Sequence, residues 1–244
     1  MNRDEYLKMR SIEGRMWWYR GLHANLLSIA RLHGASLGPG AVLDAGCGTG
    51  GLLRRLPDVL SDRTLVGIDR EPLAARLAAE HSGLPVAIGS VDRLPLSDAS
   101  LAAIFSADVL YHRDVDETAA LTEFRRCLAP GGILVLNLPA YEWLRSAHDR
   151  AVHTARRYTA GGLRRRLEAA GFRKITCRYW NSIPFPLMVV RRKLLSIAGE
   201  TSDVGLLPKP VEAVFRAIMR IENFLLSHRL SLPFGGSVLA VASA

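Results

Sequence analysis

From Ala41 to Tyr179, short runs of consecutive apolar residues alternate with longer stretches whose apolar residues recur every three or four positions. The runs predict strands at 41–45, 64–69, 86–88, 101–106, 133–138 and 174–179. The recurring pattern predicts helices at about 50–60, 72–81, 115–128 and 160–170. Pro72 stands early in its helix, where a missing N–H is tolerated. Thr159 reads as an N-cap, and Gly171 as the stop of the helix it opens. Ahead of these elements, residues 4–33 read as helical, with Trp17, Trp18, Leu22, Leu26, Leu27 and Ile29 at the apolar positions. Strands alternating with helices predict an α/β fold with a doubly wound, mostly parallel sheet. Its ligands belong at the carboxyl ends of the strands.

The rhythm breaks after 182. Residues 183–230 carry Pro184, Pro186, Pro208 and Pro210 and two apolar–basic segments, one running from Leu187 to Leu195. The other is an amphipathic helix with Val211, Val214, Phe215, Ile218, Ile221 and Leu225 on one face and Arg216, Arg220 and Asn223 off it. A seventh strand, Ser237–Val241, follows. The expected organisation is a helical lid at 1–40, a core at 41–182, a helical insertion at 183–230 and a final core strand within 231–244.

Composition narrows the class. A chain of 244 residues, 49% hydrophobic and 23% charged, suits one α/β domain. No run approaches the ~18 apolar residues of a membrane span, and Met1–Arg10 lacks an apolar signal core. Cys47, Cys127 and Cys177 have neither metal-like spacing nor the look of a disulfide framework. These features point to the cytoplasm. The net charge of +9 is uneven: residues 141–230 hold 17 Lys and Arg against 7 Asp and Glu. A basic half suits an acidic substrate, an anionic lipid surface or nucleic acid. Nucleic acid is disfavoured because the basic half lacks interleaved aromatic residues for base stacking.

The densest chemistry lies at Val42-Leu43-Asp44-Ala45-Gly46-Cys47-Gly48-Thr49-Gly50, where an apolar strand meets an acid and a glycine-rich turn. A second strand, Leu65–Ile68, ends at Asp69. The glycines let a ligand approach the backbone, and the second acid can accept hydrogen bonds from ribose hydroxyls. Gly46, Gly48 and Gly50 fit the turn that binds S-adenosylmethionine. Gly46, Gly48 and Gly51 fit equally the turn of nicotinamide dinucleotide proteins.

Further segments extend the pattern in order: Val91-Asp92-Arg93-Leu94-Pro95-Leu96, Phe105-Ser106-Ala107-Asp108-Val109-Leu110-Tyr111-His112, and Arg126-Cys127-Leu128-Ala129-Pro130-Gly131-Gly132. Together with the glycine turn and Gly67-Ile68-Asp69, they resemble the class I S-adenosylmethionine-dependent methyltransferases over about residues 15–180. The resemblance implies a seven-stranded sheet, S-adenosylmethionine as cofactor with S-adenosylhomocysteine as product, and no metal. It implies that Asp44 and the Gly46, Cys47, Gly48 and Gly50 backbone hold the methionine part. Asp69 and Arg70 would flank the ribose, Val91 and Asp92 the adenine, and Ser106 and the residues after it the sulfonium. Where many relatives carry an aspartate toward adenine, this chain has Ser90. Met16–Arg20 and Ser146–Thr159 resemble a bacterial subgroup near the ubiquinone-type and polyketide- or lipid-modifying enzymes.

Methyl transfer from a sulfonium is an in-line displacement that depends on alignment and exclusion of water. A hydroxyl or carbon acceptor also needs a base. His112, His148, Asp149 and His153 compete for that role, and the histidines suit it because histidine titrates near neutrality. Trp18, Tyr19, Arg20, Tyr111, Arg156, Arg157 and Tyr158 are candidate acceptor contacts, the arginines offering paired donors to a carboxylate or phosphate. The expected acceptor is a small apolar or aromatic molecule, phenolic, polyketide-like or linked to a carrier or lipid. Rival readings are a peripheral enzyme of the inner membrane acting on a quinone- or polyprenyl-type acceptor, and a non-catalytic cofactor-binding accessory protein. The insertion can cap the site, form a homodimer or lie on a membrane.

Overall fold

The computed structural model describes residues 3–146, 149, 154–193, 205–228 and 230–244. Within them one sheet holds β1 (Ala41–Ala45), β2 (Leu65–Asp69), β3 (Val86–Ile88), β4 (Leu101–Ala107), β5 (Leu128–Pro139), β6 (Arg173–Trp180) and β7 (Ser237–Ser243). The strand order is β3-β2-β1-β4-β5-β7-β6. The first five strands pair in parallel, and β7 runs antiparallel to both β5 and β6. The order reverses between β1 and β4, which opens a crevice at their carboxyl ends.

The helices are α1 (Arg3–Ile12), α2 (Trp17–Gly34), α3 (Pro72–Ser82), α4 (Glu117–Cys127), α5 (Ala160–Ala169), α6 (Phe185–Lys193) and α7 (Lys209–Ser227). One core lies between the sheet and α4 and α5, where Ile104, Phe124, Leu136, Leu163 and Leu167 are buried. The other lies against α2 and α7, where Leu22, Leu26, Phe105, Val135, Trp180 and Met219 meet. Central strand β4 is buried on both faces, hence its unbroken apolar run Leu101-Ala102-Ala103-Ile104-Phe105. Asp116 caps α4 through the N–H groups of Thr118 and Ala119, and Thr159 caps α5 through that of Gly162.

Four elements differ from the sequence reading. The single helix expected over 4–33 is two, broken after Ile12 and restarted beyond an extended Met16. The helix expected over 50–60 is a tighter 3-10 turn, Leu53–Asp58, because Pro57 has no N–H to continue an α-helical ladder. Strand β5 begins at Leu128, earlier than expected, because Leu128 already pairs with Leu101 ahead of the register shift at Pro130-Gly131-Gly132. In α7 the docked face is not the apolar stripe: Glu212, Phe215, Met219, Glu222 and Leu226 turn inward, while Val214 and Ile221 face out. The inward glutamates act as caps. Glu212 accepts hydrogen bonds from the N–H groups of Trp17 (2.9 Å) and Leu207 (3.0 Å), and Glu222 from those of Ser182 (2.7 Å) and Ile183 (3.3 Å).

Candidate active site

The turn after β1 is tied to the end of β2. Gly46 and Cys47 donate their N–H groups to the Ile68 carbonyl at 2.8 and 2.9 Å. Asp69 accepts from Gly48 N–H at 2.8 Å and from Glu71 N–H at 3.0 Å, so one carboxylate shapes the turn from below. Glycine is required twice over at Gly46 and Gly50: both have positive φ, and a Cβ would overlap Val109 at the first and press on Ala78 of α3 at the second.

Above this turn lies a cavity of about 920 Å³, bounded by α1, α2, α6, α7 and the carboxyl ends of β1, β2 and β4. Its floor is acidic. Asp44, Asp69 and Glu13 line it and are all buried. Burial and the neighbouring Asp69 charge push the Asp44 carboxyl up to about 7, and burial pushes Glu13 to about 7 as well. Asp44 Oδ2 is buried without a donor, and the Thr49 hydroxyl bonds the Glu13 carboxyl, which offsets part of the cost of its burial. Glu13 Oε1 stands 3.2 Å from His81 Nδ1, but that nitrogen meets the Thr49 carbonyl at 3.0 Å. An orphaned buried acceptor fits a ligand that brings its own donors and positive charge. The ammonium, sulfonium and ribose hydroxyls of S-adenosylmethionine answer that description.

The rest of the lining is largely aromatic and apolar, with Trp17, Trp18, Tyr19, Tyr111, Met188 and Phe215 among its walls. Asp108 lines the cavity just beyond β4, in a left-handed conformation with φ of 58°. Its Oδ2 accepts from Asn137 Nδ2 at 3.0 Å, and Asn137 Oδ1 accepts from Trp180 Nε1 at 2.6 Å. Burial pushes the Asp108 carboxyl to about 7 despite the Asn137 bond and the Arg157 charge. Burial also raises the Tyr19 and Tyr111 hydroxyls, which keeps both as neutral donors.

Several sequence candidates stand at the cavity: Asp44, Gly46, Cys47, Gly48, Asp69, Arg70, Val91, Trp18, Tyr19, Tyr111, His112 and Arg157. Others stand elsewhere. Gly50 packs on α3 instead of facing the cavity. Ser106 is buried and donates to the Ala45 carbonyl. Asp92 turns to the Asp116 N–H, which leaves Ser90 and Val91 on the lining at the expected adenine position. Arg20 lies exposed on the outer side of α2. Arg156 pairs with Glu117 and donates to the Val115 carbonyl, so its guanidinium serves the scaffold. Tyr158 is buried and donates to the Leu110 carbonyl. Arg157 lines the cavity but is held by Asp149 through Nε at 2.7 Å and Nη2 at 3.1 Å. Burial alone would raise the Asp149 carboxyl, but this pairing brings it below its ordinary value. His148 and His153 lie outside the described residues. Glu13, His23 and Asp108 line the cavity without having been singled out from sequence. Only Asp108 had a usable signal, its place directly after a central strand.

Residues 42–132 match the model of a methyltransferase domain. A probable S-adenosylmethionine-dependent methyltransferase of Mycolicibacterium smegmatis is 32% identical over 135 residues, covering 54% of this chain and 51% of that protein. A malonyl-[acyl-carrier protein] O-methyltransferase of Geobacter sulfurreducens is 27% identical over 190 residues, covering 69% of this chain and 71% of that one. The chain spans about half the length of the first curated relatives it matches. In fold it is similar to a possible histamine N-methyltransferase of Thermotoga maritima, with a TM-score of 0.59, 18% identity and coverage of 98% and 95%. Residues 42–132, from β1 to the Pro130-Gly131-Gly132 turn, thus form a methyltransferase domain, and the sheet around it has the fold of the S-adenosylmethionine-dependent methyltransferases.

Proposed function

We propose that this protein transfers a methyl group from S-adenosylmethionine to an oxygen or carbon of an apolar or aromatic acceptor. The observation that carries the proposal is the single cavity that joins an acidic floor over the glycine turn to aromatic and apolar walls. Its volume of about 920 Å³ is at the upper end for a small-molecule site, room enough for cofactor and acceptor together. When bound, S-adenosylmethionine supplies a methyl already activated on a sulfonium.

The chain's own residues do the rest. Asp44 and Glu13 offer carboxyl oxygens to the amino-acid end, and Asp69 offers its carboxylate to the ribose. Trp17, Trp18 and Phe215 hold an apolar acceptor and keep water out, which sets the alignment on which displacement depends. Tyr19 and Tyr111, kept neutral, donate hydrogen bonds to an acceptor oxygen. Asp108 and His112 line the cavity and are this reading's candidates to take the acceptor's proton. Burial raises the Asp108 carboxyl to about 7, which suits a group that exchanges a proton near neutral pH. Helices α1 and α2 serve as the lid, and α6 and α7 as the cap on the acceptor end. The G. sulfurreducens relative, named for O-methylation of a carrier-bound malonyl group, supports an oxygen acceptor and a carrier- or lipid-linked one.

The test is transfer of labelled methyl from S-adenosylmethionine to free phenols, long-chain phenols and malonyl-carrier protein, beside calorimetric binding of S-adenosylhomocysteine. Labelled product with an apolar or carrier-linked acceptor is expected. Binding without transfer to any of them would leave a cofactor-binding accessory protein, and absence of binding would overturn the reading.

A further inference from the structure

Helix α7 has three sides, and each does something different. The inward side carries the helix's only acids, Glu212 and Glu222, each 5% exposed and spent on capping backbone N–H groups. One outward side is apolar: helical spacing aligns Val211, Val214, Ile218, Ile221 and Leu225 in a stripe. Val214 and Ile221 are each 58% exposed, and Phe224 beside them is 63% exposed. The third side carries Lys209, Arg216 and Arg220. With the acids folded away, every Asp, Glu, Lys or Arg that α7 shows to solvent is a cation.

The apolar surface does not stop at α7. Leu187 and Val190 of α6 and Leu206 before α7 are exposed as well. Scattered exposed apolar residues are ordinary on a protein surface, but a continuous stripe is not. This one reaches the active site: Leu187 and Val211 stand on the exposed surface and also line the cavity.

We infer that α6 and α7 are the docking surface for an anionic lipid bilayer, and that an amphiphilic acceptor enters the cavity from it between Leu187 and Val211. The entry route rests on the function proposed above; the docking does not. An amphipathic helix with an apolar stripe and a cationic flank lies in the headgroup region, and each basic residue near an anionic leaflet strengthens partitioning about fivefold. A second copy of the chain fits the surface less well, because a twofold pairing of like patches brings the same cationic flank to the seam from both sides.

Sedimentation of the full chain with vesicles tests the docking. Wild type should pellet with vesicles containing about one-third phosphatidylglycerol and remain in solution with phosphatidylcholine alone, and salt should release it. The double variants Val214→Glu/Ile221→Glu and Arg216→Glu/Arg220→Glu should each lower pelleting by about tenfold or more. None of these four residues lines the cavity, so calorimetric affinity for S-adenosylhomocysteine should stay at the wild-type value. Equal pelleting of wild type and both variants would overturn the proposal. So would a wild-type dimer, detected by light scattering, that V214E/I221E splits and that ignores vesicles. Loss of cofactor binding in wild type would overturn the proposed function and leave the vesicle result standing.

Discussion

Asp108 and Glu13 are the residues whose removal separates the site's two jobs. Asp108 lines the cavity, and burial raises its carboxyl to about 7. Replacing Asp108 with Asn keeps the shape and deletes the proton acceptor. The expected loss in kcat is about 10²–10⁴-fold, with S-adenosylhomocysteine affinity nearly unchanged. In wild type kcat should rise with pH through about 7 as the carboxyl ionises, and D108N should lose that limb. A limb that survives unchanged in D108N would remove Asp108 from the role and leave it to His112, and a wild-type profile flat from pH 6 to 8 would remove both. Glu13 serves the other job. Its carboxyl belongs to an acidic floor suited to an ammonium, so Glu13→Gln should weaken S-adenosylhomocysteine by about tenfold or more. Binding of 5′-methylthioadenosine, which lacks the amino-acid tail, should barely change. Equal losses for both ligands would mean that Glu13 only props the α1–α2 turn against Gly51.

The elements show which parts of the protein the sequence could announce. The strand from Val42 to Asp44 with its glycine turn, the Asp69 strand end and the central strand Leu101–Phe105 are local patterns, and a local pattern is legible in one dimension. The acidic floor of the cavity was therefore readable down to Asp44 and Asp69. Glu13 was not, because its role depends on α1 folding back over a turn far along the chain, and nothing around Glu13-Gly14 marks that approach. Tyr158 and Arg156 looked like acceptor contacts because a hydroxyl can orient a substrate oxygen and a guanidinium offers paired donors, but the fold turns them toward the Leu110 and Val115 carbonyls. The docked side of α7 was hidden for a related reason. Hydrophobic periodicity finds the apolar stripe, whereas this helix docks through Met219 and two glutamates that satisfy backbone N–H groups of other elements. That docking is measurable. Replacing Glu212 with Ala strands the N–H groups of Trp17 and Leu207 and should cost about 1–3 kcal/mol in urea unfolding. Glu212→Gln keeps one acceptor oxygen and should cost less. An E212A variant as stable as wild type would show that α2 and α7 are held by the Trp17–Phe215 stack and Met219 without the cap.

The whole molecule binds protons in a way that ties its stability to its cofactor. Asp44, Glu13 and Asp108 are each raised by burial to about 7, from ordinary values of 3.8, 4.5 and 3.8. The folded protein therefore holds protons on these groups that the unfolded chain has released between about pH 4 and 7. Stability from this source is complete below the ordinary values and is lost as pH rises through about 7. The opposite sign belongs to Asp149 and Glu123, whose carboxyls lie below their ordinary values, so their contribution is present at neutral pH and fades on acidification. The protein without cofactor should therefore melt highest in mildly acid buffer and lower at pH 8. Cofactor binding reverses part of that slope, because ammonium and ribose donors favour the ionised carboxylates that burial alone disfavours. The rise in Tm given by saturating S-adenosylhomocysteine should thus grow from pH 5.5 to 7.5, at a ligand excess where binding adds about 2.7 kcal/mol per hundredfold over Kd. Thermal unfolding across that range, with and without ligand, measures both slopes. In Glu13→Gln the ligand's pH dependence should flatten while the protein without ligand gains stability at pH 8. A ligand shift constant with pH in wild type would mean that the floor carboxylates are ionised before the cofactor arrives, and the acidic floor would then be a preformed cation site instead of one that titrates as it fills.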